Sequence, residues 1–174
     1  LFGKGNPPNP FGHKTSYLWE EIFTRNSVAN IIQHFVRFDG KDTDLYILKN
    51  KQGNEVAITN YGGTIIAIMV PDKNGKFANV IQGHDNIQDI INSPEPYLST
   101  LVGRYGNRIY KGKFQLHGKT YNLAINNGSN SLHGGKKGFN TKVWNALKMN
   151  VQALVLEYVS PYGEEGYSGE VRIT

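Results

Sequence analysis

From Asp44 onward the chain alternates short runs of β-branched and aromatic residues with Gly, Asn, Asp or Pro, a punctuation that predicts many short strands. The runs are LYILKN at 45–50, EVAITNYG at 55–62, TIIAIMVPD at 64–72, NVIQG at 79–83, KFQLHGKTYNL at 113–123, VQALVLEYVS at 151–160 and EVRIT at 170–174. Two turns are legible. Asn74-Gly75 has the residues of a tight hairpin, and His117-Gly118 joins KFQL to KTYNL through residue types that tolerate positive φ. In the run at 151–160, Val151, Ala153 and Val155 fall on one face and Leu154, Leu156 and Tyr158 on the other. Two apolar faces predict a strand covered on both sides.

The first part of the chain reads differently. Residues 1–15 are rich in Gly, Pro and Asn and form a loop or linker. Residues 16–37 space Leu18, Ile22, Val28, Ile31, Ile32 and Phe35 as a short amphipathic helix or two would, with Ser16 as a candidate N-cap. The expected organisation is therefore an N-terminal extension over 1–37, then a β-rich domain over 38–174.

Composition supports the strands: with Gly 20, Tyr 10 and Phe 8 in 174 residues, turns and aromatic-bearing strands outweigh helices. The absence of cysteine excludes disulfides, thiolate nucleophiles and Cys-ligated zinc. No run approaches the roughly 18 apolar residues of a membrane span, and LFGKGNPPNP lacks the apolar core of a signal peptide, so a cytoplasmic protein without membrane association is expected. The net charge of +5 falls entirely beyond residue 44, where the basic residues are dispersed apart from Lys136-Lys137. A nucleic-acid face needs a denser cluster, so no nucleic-acid partner is expected.

Polar groups gather on four glycine-rich or adjoining positions, where backbone can approach a ligand. These are Gly103-Arg-Tyr-Gly-Asn-Arg108, Asn130-Ser-Leu-His133-Gly-Gly-Lys-Lys-Gly-Phe139, Trp144 and Gly163-Glu-Glu-Gly-Tyr167-Ser-Gly169. Arg108 offers a planar donor fork and Asn107 both a donor and an acceptor, a combination suited to a polyol, although a solvated surface ion pair would use the same Arg. His133, ahead of two glycines, has a ring open to a small molecule and can donate or accept a proton near neutrality; a turn histidine bonded to backbone is the plainer reading. Glu164 and Glu165 beside Tyr167 suit a carboxylate and a stacking ring near a sugar, or a solvated turn. No two of the five histidines stand at metal-ligand spacing, so no metal is expected. Gly134-Gly135-Lys136-Lys137 fails as a phosphate loop, because Asn130 and Lys137 occupy positions needing Gly and Ser/Thr.

Taken in order, TNYGGTIIAIMVPDKNGKFANVIQGHD, GRYGNRIYKGKF, LAINNGSNSLHGGKKGFNTKVW and SPYGEEGYSGEV resemble successive N-terminal motifs of the aldose 1-epimerase (galactose mutarotase) family. The resemblance covers about residues 38–174. It implies an all-β fold, an antiparallel β-sandwich with a sugar in a groove across one sheet, and no cofactor. It implies further that the chain interconverts the α and β anomers of free hexoses such as galactose or glucose: a base takes the anomeric hydroxyl proton while an acid protonates the ring oxygen. Asn107 and Arg108 match the family's sugar-binding pair, and His133 matches its first active-site histidine. Tyr162 stands where Asp is usual, and Ser168 where Pro is frequent.

In that family a second histidine, a sugar-binding Asp and the catalytic Glu follow the Gly-Glu-Glu-Gly-Tyr motif, so these 174 residues are expected to carry only part of the site. Unpaired edges of a partial sandwich would invite self-association. Two other readings stand beside an epimerase: a non-catalytic carbohydrate-binding or assembly module, and a relative acting on a phosphorylated sugar through Lys136 and Lys137.

Overall fold

In the computed structural model, residues 33–84, 86–150 and 152–174 are described. Most of the helical reading at 16–37 lies outside them. Its last residues, from Gln33, are strand instead of helix. Asp39 and Gly40, at φ 50° and 74°, close a tight turn that pairs Phe38 with Lys41. That turn's twist matches two antiparallel strands, and pairing overrides the local helical spacing.

Strands β1 (Gln33–Phe38), β2 (Lys41–Lys49), β3 (Glu55–Thr59), β4 (Ile65–Pro71) and β5 (Phe77–Asn79) form an antiparallel meander in chain order. At the β4–β5 turn only Gly75 is left-handed, at φ 80°; the Asp72 carboxylate accepts from the amides of Asn74 (2.8 Å) and Lys76 (2.9 Å) and shapes the rest. β5 is shorter than the run at 79–83 predicts. The Asn79 side-chain oxygen accepts from the amides of Ile68 (3.0 Å) and Ile81 (3.2 Å), which replaces the ladder and turns the chain away.

A short helix absent from the sequence reading, α1 (Ile87–Ile91), follows. Asn86 caps it by accepting from the Asp89 amide at 2.9 Å, and Ile87 and Ile90 point inward. They complete a core made of Leu45, Ala57, Tyr61, Ile66, Ala67 and Val143. Val143 belongs to a distant segment, held because Tyr61 bridges to it while Gly62 N–H donates to Lys142 (2.7 Å) and Trp144 N–H to Asn60 (2.9 Å).

The remaining strands are β6 (Arg108–Ile109), which pairs with β9 (Ser131–Leu132); the hairpin β7 (Lys113–Leu116) and β8 (Lys119–Asn122); and the antiparallel sheet of β10 (Asn145–Asn150), β11 (Ala153–Ser160) and β12 (Val171–Ile173). His117 and Gly118 take φ 49° and 76°, the conformation their residue types predict. β11 departs from expectation: residues 154–159 are half-buried, and only Ser160 at its end is enclosed. In a three-stranded sheet the central strand packs chiefly where Tyr158 meets Phe139 and Trp144, with ring centroids 5.7 Å and 5.6 Å away. Every strand pairing among the described residues is antiparallel, as the all-β reading expects. Among the described residues no helix is long and apolar enough to cross a membrane.

Candidate functional site

The loops at 103–109 and 130–139 lie face to face. β6 pairs Arg108 with Leu132 and Ile109 with Ser131, and beyond that ladder His133 N–H donates to Asn107 O at 3.0 Å. Phe139 N–H donates to Gly103 O at 3.2 Å. The close approach depends on Gly134: it sits at φ 92°, and a Cβ there would lie 1.7 Å from Gly103 O. No side chain fits that gap.

The three sequence-predicted residues come together here. The Asn107 amide donates to His133 Nδ1 at 3.1 Å. A backbone N–H can only donate, so Nδ1 is an acceptor and the neutral ring carries its proton on Nε2. Nε2 has no partner among the described residues. The bond from the Asn107 backbone is the contact expected of a turn histidine, and one face of the ring also meets Tyr97, centroid to centroid 4.6 Å. Arg108 is likewise aimed: its Nε donates to Asn127 Oδ1 at 2.9 Å and its Nη1 to Asn107 Oδ1 at 3.2 Å. No acidic side chain pairs with it, and Nη2 has no partner among the described residues. Beside Arg108 opens a cleft of about 370 Å³ walled by Tyr105, Ile109, Phe114 and Tyr167.

The acidic residues behave unlike either sequence reading. The Glu164 carboxylate, 11% exposed, takes an ion pair from Lys142 Nζ and a hydrogen bond from the Tyr158 hydroxyl, both at 2.6 Å, and bonds the Ser160 hydroxyl. Burial pushes its pKa up, but the bonds from Lys142, Ser160 and Tyr158 prevail and hold it below the ordinary value. Burial, then the bond to Glu164, pushes the Tyr158 phenol up. Glu165, at φ 52°, accepts from the Lys136 amide at 2.7 Å. Both carboxylates are therefore committed to holding loops. Trp144, 2% exposed, belongs to the core, its Nε1 donating to Phe139 O at 3.3 Å.

Between Glu95 and Glu157 the chain carries nine Lys/Arg and no Asp or Glu, so the site loops are cationic in their own sequence. The carboxylates that balance Lys142 and brace residue 136 come from the loop at 163–167.

Sequence reasoning missed four residues that build the site. Arg104 stitches the first loop to the third: Nε donates to Ser160 Oγ (2.8 Å), Nη2 to Ser160 O (3.0 Å) and Pro161 O (2.6 Å), and Nη1 to Ser168 O (3.0 Å). Asn126 and Asn127, ahead of Gly128, carried a turn signal that could have been followed. Tyr97 carried none.

The architecture is that of an antiparallel β protein presenting a polar, donor-rich site on loops between its strands. A family model described as aldose 1-epimerase matches residues 44–174, and the chain belongs to that family. Galactose mutarotase of Bos taurus is 45% identical over 118 residues, 68% of this chain and 34% of that protein. The Homo sapiens galactose mutarotase is 39% identical over the same shares. Among solved structures, an aldose epimerase homologue from C. elegans superposes with a TM-score of 0.71 at 27% identity, over 75% of this chain and 40% of that one. Galactose 1-epimerase from Lactobacillus acidophilus NCFM gives 0.69 at 26% identity, over 82% and 42%. The chain thus spans about a third of the length of the curated relatives it matches.

Proposed function

We propose that Asn107, Arg108 and His133 bind a free aldohexose, galactose or glucose, and serve the interconversion of its α and β anomers. One observation carries this reading: His133 and Arg108 are both bonded to Asn107, one through its backbone N–H and the other through its Oδ1, and each keeps a donor with no partner among the described residues, Nε2–H and Nη2. Two directed donors suit a substrate made of oxygen acceptors. Galactose mutarotases among the relatives point to the same substrate class.

Ring opening moves the proton from the anomeric hydroxyl to a base, breaks the bond between C1 and the ring oxygen, and delivers a proton to that oxygen, leaving an open-chain aldehyde. Rotation about C1–C2 and reclosure return the other anomer with no net change in atoms. In this scheme His133 Nε2–H faces the ring oxygen, where negative charge develops as the bond breaks, and stabilises it by a fixed hydrogen bond. Arg108 grips hydroxyls through Nη2, and the Tyr105–Tyr167 side of the cleft offers rings to the sugar's C–H faces. Glu164 and Glu165, being committed to loop contacts, do not serve as the base.

The test is titration of the chain with galactose by NMR, together with polarimetry of freshly dissolved α-galactose. Galactose is expected to shift resonances of residues 103–109 and 131–135. Arg108→Ala should weaken binding about tenfold, the worth of one hydrogen bond from a charged donor. His133→Ala should remove whatever acceleration of anomer exchange the chain provides. No galactose binding at all would overturn the proposal; binding without faster exchange would favour a non-catalytic carbohydrate module.

A further inference from the structure

We infer that Asn126 and Asn127 are positioning residues for this site, one holding the His133 loop and the other the Arg108 guanidinium, so that a single turn sets the relation between the two groups. The inference rests on the sugar-site reading for what the two groups are for, and on geometry for how they are held.

Asn126 spends its whole side chain on the His133 loop. Its Oδ1 accepts from Leu132 N–H at 2.7 Å, while Nδ2 donates to Leu132 O and Gly135 O, both at 2.9 Å, and to the Tyr97 hydroxyl at 3.2 Å. It therefore brackets His133 on both sides in sequence and also fixes the ring that lies 4.6 Å from the imidazole. The bracket is needed because His133, Gly134 and Gly135 are three successive left-handed residues, at φ 51°, 92° and 108°. Such a run is not held by any regular ladder.

Asn127 does a different job with the same functional group. Its Oδ1 accepts from Arg108 Nε at 2.9 Å, while its backbone pairs with Asn130 to close the turn. With Asn107 Oδ1 on Nη1, this leaves Nη2 as the guanidinium corner turned outward. Asn130 completes the arrangement by accepting from the Lys111 amide at 3.1 Å, which ties the turn to the end of β6.

The chemistry separates the two residues. Asn127 uses only its acceptor, and Asp keeps that acceptor and adds an opposite charge to Arg108. Asn126 uses donor and acceptor together; Asp in its place would set a carboxylate against the carbonyls of Leu132 and Gly135. Aspartate is thus expected to be tolerated at 127 and not at 126, although both are Asn-to-Asp changes one residue apart.

The experiment reads ligand-free NMR signals alongside galactose titration of the same chain. In the wild type, the Arg108 Nε–H should be slowed in exchange, and long-range proton–nitrogen spectra should find neutral His133 as the Nε2–H tautomer. Asn127→Ala should speed Nε–H exchange and weaken galactose binding, each about tenfold. Asn127→Asp should retain both. Asn126→Asp should leave the His133 ring a mixture of tautomers; if that variant does not fold, Asn126→Ala, which removes the same bonds without adding a charge, reads the same signal. If Arg108→Ala weakens galactose binding while Asn127→Ala matches wild type in exchange and affinity, the inference falls and the sugar site stands. If the Nε–H and tautomer signals respond as expected but galactose never binds, the positioning stands and the sugar-site reading falls.

Discussion

Replacing Arg104 by Ala should destabilise the chain more than changing any other exposed or half-exposed cation in the structure. Its four donations go to Ser160 Oγ, Ser160 O, Pro161 O and Ser168 O. Ser160 has no exposed surface, so water cannot replace the two bonds made to it. The Pro161 carbonyl, on an exposed residue, can rehydrate and contributes less. Taking about 1.5–3 kcal/mol for each of the two enclosed bonds to a charged donor gives about 3–6 kcal/mol. That is a large part of the 5–15 kcal/mol on which a typical domain stands. With a urea slope of about 2 kcal/mol per molar, the unfolding midpoint should fall by about 1.5–3 M. Near-UV circular dichroism is a suitable probe, since Phe139, Trp144 and Tyr158 form one aromatic cluster close to the clamp. Arg104→Lys should lose about half as much, because an ammonium on a flexible stem cannot reach three carbonyls and a hydroxyl at fixed angles. A shift below about 0.5 M for Ala, or a Lys variant indistinguishable from wild type, would refute the view that the fork geometry of Arg104 holds these loops.

Three further outcomes can be checked. Because Glu164 titrates below its ordinary value of 4.5 in the folded chain, its contribution to stability is fully present above pH 4.5 and is lost as pH falls through the lower folded value. Glu164→Gln should flatten acid unfolding in that window and cost about 2 kcal/mol at neutral pH, read as a urea midpoint at several pH values. Gly134→Ala must displace backbone at Gly103, so it should cost about 3 kcal/mol or more and remove the slowed exchange of the Asn107 amide at His133 Nδ1. Trp144→Ala should destabilise by about 3–5 kcal/mol, as expected for an indole 2% exposed, and a loss below about 1 kcal/mol would contradict its place in the core.

What the sequence discloses and what it hides divide along physical lines. β2, β3 and β4 are legible because runs of β-branched and aromatic residues stand between turn residues, and Leu45, Ala57, Ile66 and Ala67 within them form the core. His117-Gly118 is legible because few residue types accept two left-handed positions in succession. Asn107, Arg108 and His133 stand out through the family resemblance and through glycine-rich loops, not through any period in the chain. β10 was missed because NALKMN lacks β-branched and aromatic residues; its pairing with β11, from Asn145 to Asn150, makes it a strand. The role of Arg104 was hidden for a related reason. It lies four residues from Arg108 on one loop, and only the fold turns one guanidinium toward Ser160 and the other toward Asn127.

The Arg104 clamp also bears on the order in which the chain assembles. Its bonds join residues 56, 57 and 64 positions apart, farther than any hairpin among the described strands requires. Closing so long a loop carries an entropic cost that is offset only once both ends are already anchored, so contacts of this separation form after local strand pairing. The hairpins can therefore exist before the two loops meet, and Tyr167 does not wall the cleft beside Arg108 until they do. If the chain binds a sugar as proposed, that competence appears with the last contacts to close, and ligand capture during refolding would report completion of the molecule, where strand content alone would register it too early.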